Sequence, residues 1–167
     1  PEGTIEYNRT IKDIASEHFK FNPFYGTVIA GKLTIYNSRS IALLGENSAP
    51  TWIFSSALGT INELSNESFS LDSLRFLSSN QGKLFSRLQD KSGFSIFSLN
   101  MLDGRLNWKT ESSEWNFCSD PLVYKDKIVA VAKKNTLIPE YWLIYVDQSS
   151  GQIIEKTFLF SGTTAIN

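Results

Sequence analysis

Gly82-Lys83-Leu84-Phe85-Ser86-Arg87-Leu88 opens with a tripeptide that already stands at Gly31-Lys32-Leu33. A looser third copy, Asp126-Lys127-Ile128, follows. The three lysines are spaced by 51 and 44 residues (32 to 83, then 83 to 127). Each copy continues as a short apolar run and then a polar turn: Asn37 to Ser40, Gln89 to Gly93, and a longer loop from Lys133 to Glu140. A second apolar run follows each turn, Ile41 to Leu44, Phe94 to Leu99 and Tyr141 to Val146. The later two copies then coincide closely. Asn100-Met101-Leu102-Asp103-Gly104 lies over Asp147-Gln148-Ser149-Ser150-Gly151, Trp108 and Glu155 each stand four residues past the glycine, and Thr110 and Thr157 coincide beyond them.

Strand–turn–strand units recurring at 44 to 51 residues mark a stacked array of small sheets. A lone antiparallel sheet of this size cannot bury both faces, and stacking supplies the core. Glycine after the second strand meets the positive φ of a tight hairpin. A tryptophan just beyond it is a wedge for the space between sheets. The expected fold is therefore all-β: about three antiparallel, blade-like repeats in an incomplete ring, with one short helix possible. The divisions are a lead segment at 1–22, a first repeat at 23–56, a connection with the second repeat at 57–113, a third repeat at 114–160 and a tail at 161–167. Ile11, Ile14 and Phe19 suit either one side of a helix or an incoming strand, and Leu71, Leu74, Phe76 and Leu77 leave the same choice open in the connection.

The repeats resemble those of the quinoprotein-type (PQQ-like) β-propellers. The resemblance rests on Leu99-Asn100-Met101-Leu102-Asp103-Gly104-Arg105-Leu106-Asn107-Trp108, on Val146-Asp147-Gln148-Ser149-Ser150-Gly151-Gln152-Ile153 with Glu155 in the tryptophan position, and on Leu43-Leu44-Gly45 with Trp52. Ser119-Asp120-Pro121-Leu122-Val123 resembles the lead-in to a blade, so the likeness runs from Asn22 to Phe160. It implies the scaffold and not the redox chemistry. Quinone-dependent members of that family use a vicinal cysteine pair and a calcium site, whereas this chain has one cysteine and no dense cluster of acidic and amide side chains. No cofactor is expected. Three blades do not close a ring, so the missing neighbours are expected from another protein chain or from further copies of this one.

The 167 residues are 41% hydrophobic and 13% aromatic, enough for a real core. Sixteen basic against 17 acidic residues give a formal charge of -1, which offers nucleic acid no favourable field. No apolar run reaches the roughly 18 to 20 residues of a membrane-spanning helix. The compartment is not legible in composition, and the resemblance alone leans towards an extracytoplasmic one.

Few residues suggest chemistry. Cys118, the sole cysteine, can form no internal disulfide and is expected as a small buried hydrophobe. His18, the sole histidine, has only Glu17 beside it in sequence, and adjacent residues seldom face one way. Asp103, Asp120, Asp126 and Asp147 fall where turns need a carboxylate. No phosphate loop and no Gly-x-Ser-x-Gly motif is present. Asn8-Arg9-Thr10 and Asn66-Glu67-Ser68 match the glycosylation acceptor pattern. The aromatics Trp115, Phe117, Tyr141 and Trp142 are the best candidates for protein binding if exposed, since indole and phenol rings anchor interfaces. Buried, they belong to packing between sheets.

Three functions follow as expectations. The leading one is a non-enzymatic, propeller-like binding or scaffold module acting within a larger protein or complex. The alternatives are a fragment or subunit of a quinone-dependent propeller enzyme, and a small self-contained β protein that neutralises a toxin.

Overall fold

The computed structural model describes residues 25–36, 40–45, 50–55, 77–90, 93–110, 113–134 and 136–162. His18, Asn8, Asn66 and both possible helical stretches before Leu77 lie outside them. Thirteen strands and no helix occur among the described residues, in three separate antiparallel sheets. Sheet I holds β1 (Tyr25–Ile29), β2 (Lys32–Tyr36), β3 (Ser40–Leu44) and β4 (Pro50–Ser55) in that order. Sheet II holds β5 (Ser78–Asn80), β6 (Lys83–Asp90), β7 (Gly93–Asn100) and β8 (Leu106–Lys109). Sheet III runs β10 (Leu122–Tyr124), β11 (Lys127–Lys134), β12 (Glu140–Asp147) and β13 (Ile153–Ser161), with β9 (Trp115–Phe117) added beside the far end of β11.

The repeated tripeptide is the exit from one kind of hairpin. Ile29 pairs with Lys32, Asn80 with Lys83 and Tyr124 with Lys127, so each sheet opens with a two-residue loop. Ala30 and Gly31 both have positive φ, as do Gln81 and Gly82, and Lys125 does in the third. Such loops match the twist of the strands they join only when the chain enters the left-handed region, which glycine enters at least cost. The lysine that follows is the first residue of the second strand in all three sheets.

A second feature recurs on the last strand. The register slips between Leu43 and Leu44, between Ser98 and Leu99, and between Tyr145 and Val146. Each slip leaves one residue of the last strand unpaired and sets Trp52, Trp108 and Glu155 at the same place, opposite Leu43, Ser98 and Tyr145. Bulges of this kind re-aim a side chain. Here they aim the indoles of sheets I and II at the next sheet.

Each indole lands on a glycine turn. A Cβ on Gly104 would stand 2.6 Å from the ring of Trp52, and one on Gly151 would stand 2.6 Å from the ring of Trp108. Trp52 Nε1 donates to the Met101 carbonyl oxygen at 2.9 Å, and Trp108 Nε1 donates to that of Gln148 at 2.9 Å. Both acceptors lie three residues before the glycine. The turns are alike in their own bonding: Gly104 N donates to Asn100 O and Gly151 N to Asp147 O.

Two cores fill the seams. Between sheets I and II, Ile29, Ile41, Leu43, Trp52 and Phe54 meet Leu84, Leu88, Phe97, Leu99 and Met101, and Phe54 stacks on Phe97 at 5.4 Å. Between sheets II and III, Phe85, Ile96 and Trp108 meet Phe117, Ile128, Ala130, Ile144 and Val146. Sheet II is thus buried on both faces, and β7 accordingly carries large apolar residues on each side, with Ile96 and Phe97 facing opposite ways. A smaller cluster, Ile35, Ala42 and Leu44, is buried on the other face of sheet I.

In the turn of sheet III the Asp147 carboxylate is held by backbone and hydroxyl donors. Asp147 Oδ1 accepts from Ser150 N at 2.7 Å, from Ser150 Oγ at 2.8 Å and from Ser149 N at 3.0 Å, which holds its carboxyl below the ordinary Asp value. A carboxylate with a depressed folded pKa adds stability above its unfolded value of 3.8 and loses it as pH falls through the folded value. Asn100 fills the same place in sheet II, so Asp147→Asn should keep the turn and flatten the acid end of a stability–pH curve measured by urea unfolding. Trp108→Phe should cost about 1 kcal/mol or somewhat more by the same method, through loss of the indole donor. Gly151→Ala, strained by its φ of +74 and by the ring beside it, should cost about 1–3 kcal/mol. Combined with Trp108→Ala, the Gly151 change should cost clearly less than it does alone, because the ring it strikes is gone.

Candidate binding surfaces

The four aromatics do not form one patch. Trp115, Phe117 and Tyr141 are buried, and Trp142 is half-buried. Trp115 and Phe117 are the two inward residues of β9, which pairs with β11 through Trp115–Lys134 and Phe117–Ala132. The sequence places them in a connection. The structure makes that connection a strand, and the period of two turns both rings into the seam with sheet II. Tyr141 and Trp142 are neighbours on one strand and so face opposite ways. Trp142 lies edge-on to Trp115 at 5.8 Å and to Phe158 at 5.2 Å, while Tyr141 stacks on Phe160 at 4.7 Å across the other face.

The Trp115–Trp142–Phe158 group forms a corner ringed by charge. Lys156 and Lys134 lie over the Trp115 ring, 5.0 and 5.6 Å from its centroid. Lys134 Nζ meets Glu114 Oε1 at 2.8 Å, and Trp142 Nε1 donates to Glu140 Oε2 at 3.1 Å. The Lys134 hydrogen bond pulls the Glu114 carboxyl below its usual range, and the same bond pushes the Lys134 ammonium up. Of the corner's rings, Phe158 is the most open, half exposed. A lone exposed ring beside solvated ion pairs is a modest anchor.

Seam II–III holds the polar links. Gln148 collects three of them, its carbonyl oxygen accepting from Trp108 and from Lys83 Nζ at 3.3 Å and its Oε1 from Asn80 Nδ2 at 3.0 Å, while its Nε2 donates to Lys125 O at 3.1 Å within sheet III. Ser78 Oγ donates to Pro121 O at 2.8 Å. Arg87 Nη1 donates to Phe117 O at 3.2 Å, its guanidinium lies 4.5 Å from the centre of the Phe94 ring, and its Nε stands 3.8 Å from Asp120 Oδ1. Asp103 accepts from Arg105 N at 3.0 Å. Asp103 and Asp147 are thus turn residues, and Asp120 belongs to the seam. No group of three or more His, Cys, Asp or Glu able to hold a metal ion occurs among the described residues.

Cys118 corrects an expectation. It is exposed, not buried, because it follows inward-facing Phe117 and the alternation turns it outward. Its Sγ donates to Val131 O at 3.4 Å, and desolvation by the neighbouring strands pushes the thiol up.

The face of sheet III turned away from sheet II has no stacked sheet among the described residues. Leu122, Val129, Tyr145 and Glu155 form one cross-strand row on it, and Val131, Leu143 and Thr157 form another. Leu122 is 64% and Tyr124 56% exposed. Glu155 stands on this face where sheets I and II carry an indole, and Lys127 Nζ meets its Oε2 at 3.1 Å. Neither the sequence repeat nor the four aromatics pointed to this face as a binding surface. The signal for it was available in the replacement of tryptophan by Glu155.

No protein-family model and no curated protein sequence matches the chain. Solved structures do match in shape. A europium-containing methanol dehydrogenase superposes with a TM-score of 0.54 at 16% identity, over 80% of this chain and 24% of that one. The quinohemoprotein alcohol dehydrogenase from Comamonas testosteroni superposes with a TM-score of 0.53 at 13% identity, over 80% of this chain and 20% of that one. BamB from Moraxella catarrhalis overlaps at 0.41 and 12%, over 79% of this chain and half of that one. The chain has the PQQ-like propeller type of fold, and it spans about a quarter or less of the length of the two dehydrogenases. No helix among the described residues is long and apolar enough to cross a membrane.

The Cys118 thiol should alkylate with iodoacetamide in the folded protein, with a pH midpoint above that of the urea-unfolded chain. Equal midpoints, or no reaction before unfolding, would contradict its exposed and desolvated setting.

Proposed function

We propose that the chain is a non-enzymatic, propeller-type binding module that acts by presenting sheet faces to another polypeptide. The observation that carries this reading is the open face of sheet III. It repeats the strand positions that are buried in the seams between sheets I and II and between sheets II and III, and it retains apolar residues at most of them. Apolar area of that kind gains roughly 25 cal/mol for each Å² removed from water. Its polar and ionic rim gives orientation. Partners of this class are proteins rather than nucleic acid or small metabolites.

A second reading is favoured by one observation, the likeness of the fold to two dehydrogenases. The chain would then be a part of a quinone-dependent enzyme. The two readings differ in what the chain does with quinone. Hydrogen exchange read by mass spectrometry on the chain, alone and in the assembly isolated from its source, should show slowed exchange in Leu122–Tyr124 and Ile153–Ser161 in the assembly. Saturable binding of pyrroloquinoline quinone by the assembly, with dye reduction on adding an alcohol, would replace the first reading by the second.

A further inference from the structure

The two outer faces of the array are buried to different depths. On sheet I, the face turned away from sheet II carries Ile35, Ala42 and Leu44 at 3%, 0% and 3% exposure, with Ile53 packed against them. On sheet III, the face turned away from sheet II leaves Val129, Val131, Leu143 and Tyr145 only half-buried. Both sets stand on the two middle strands of their sheets. Cross-strand neighbours alone thus bring such residues to half burial, and full burial needs further atoms lying on the face. No described strand stacks on sheet I there. The covered area is narrow, since Val28 and Leu33 on the same face stay 69% and 45% exposed. A whole sheet would take in those residues as well, whereas a short length of chain would not.

The repeat says which way that face points. Ile35 pairs with Ala42, Ser86 with Phe97 and Ala130 with Ile144. Ile35, Ser86 and Ala130 are spaced by 51 and 44 residues, as the three lysines are, so the pairs stand at one place in the three sheets. Phe97 packs towards sheet I and Ile144 towards sheet II, each against the sheet before its own. The Ile35–Ala42 face therefore looks backwards along the chain. We infer that residues 1–24, which lead into β1, lie on this face and close the head of the array. Reach allows it, since β1 and β3 are two strand spacings apart, roughly 10 Å, and about four extended residues span that. Ile11, Ile14, Phe19 and Phe21 supply apolar side chains for the contact. The connection from β4 to β5 leads elsewhere. It ends at Leu77, which packs against the core between sheets I and II. The matching connection from β8 to β10 buries Trp115 and Phe117 between sheets II and III. Connections thus fill the seam ahead of them, and the face behind sheet I falls to the chain before it. This end of the array is opposite the open face of sheet III, so the inference stands apart from the binding-module reading.

Photo-cross-linking in the full chain tests it. With p-benzoylphenylalanine in place of Ile53, at the rim of the covered patch, irradiation should join that strand to a peptide from residues 1–24, read by mass spectrometry of the digest. A thiol reports the cover itself. In a Cys118→Ser background, the thiol of Ala42→Cys should alkylate about a hundredfold or more slowly in buffer than in urea. Adding Ile11→Asp, Ile14→Asp and Phe19→Asp makes the lead segment acidic and should bring that thiol to within about tenfold of its unfolded rate. The thiol of Ala130→Cys, buried between sheets II and III, should stay protected in both backgrounds. A cross-link that falls on residues 56–76 or on a second copy, or that fails to form with residues 1–24, overturns the inference. So does an Ala42→Cys thiol that reacts freely behind the parent lead segment, or one that keeps its full protection behind the acidic segment. If the Ala130→Cys thiol also reacts, the acidic chain has unfolded and the cross-link alone decides.

Discussion

Everything in this architecture depends on the seating of an indole against a glycine. Two sheets with apolar faces could slide past one another, since dispersion and hydrophobic burial have little directional preference. The indole removes that freedom. Its ring occupies the space a Cβ would take at Gly104 or Gly151, and its N–H finds one carbonyl oxygen three residues before that glycine. Steric fit fixes the approach and the hydrogen bond fixes the rotation. Each seam therefore has one register, and the apolar residues on either side, Phe54 against Phe97 for example, meet in a set pairing.

The seat also explains why the turns are more alike than the strands. Asn100 and Asp147 differ in charge but present the same carbonyl to the glycine N–H and use a side-chain oxygen to hold the next amides. Met101 and Gln148 differ in kind but present the same backbone acceptor. Gln148 adds a side-chain bond from Asn80 across the seam, and its bond to Lys125 O braces the turn within sheet III.

Much of this was legible in the sequence. The tripeptide at Gly31 and Gly82 signals a hairpin exit because a two-residue loop demands positive φ, and the glycine–tryptophan spacing signals the wedge. Both are local rules with fixed offsets. The placement of single aromatics was not legible. Whether Trp115 packs or projects depends on β9 finding β11, a pairing of residues 15 to 19 positions apart that no local rule sets. Cys118 shows the same dependence: its exposure follows from the phase of that short strand, and a three-residue strand announces no phase. Tyr141 and Trp142 could be assigned to a strand but not to a seam, because the bulges in β13 shift which of its rings lies beside each. The open face of sheet III was hidden for another reason. A substitution of charge for indole reads as a degenerate copy until the face it occupies is known.

Sheet II carries its glycine seat towards one neighbour and its indole towards the other. A unit so polarised has a head and a tail. Duplicating it in tandem would create a new seam whose indole and seat already match, with no compensating change in either flanking sheet. Insertion of whole units at internal junctions is thus nearly neutral to packing. An array of such units lengthens by repeating a junction it already contains.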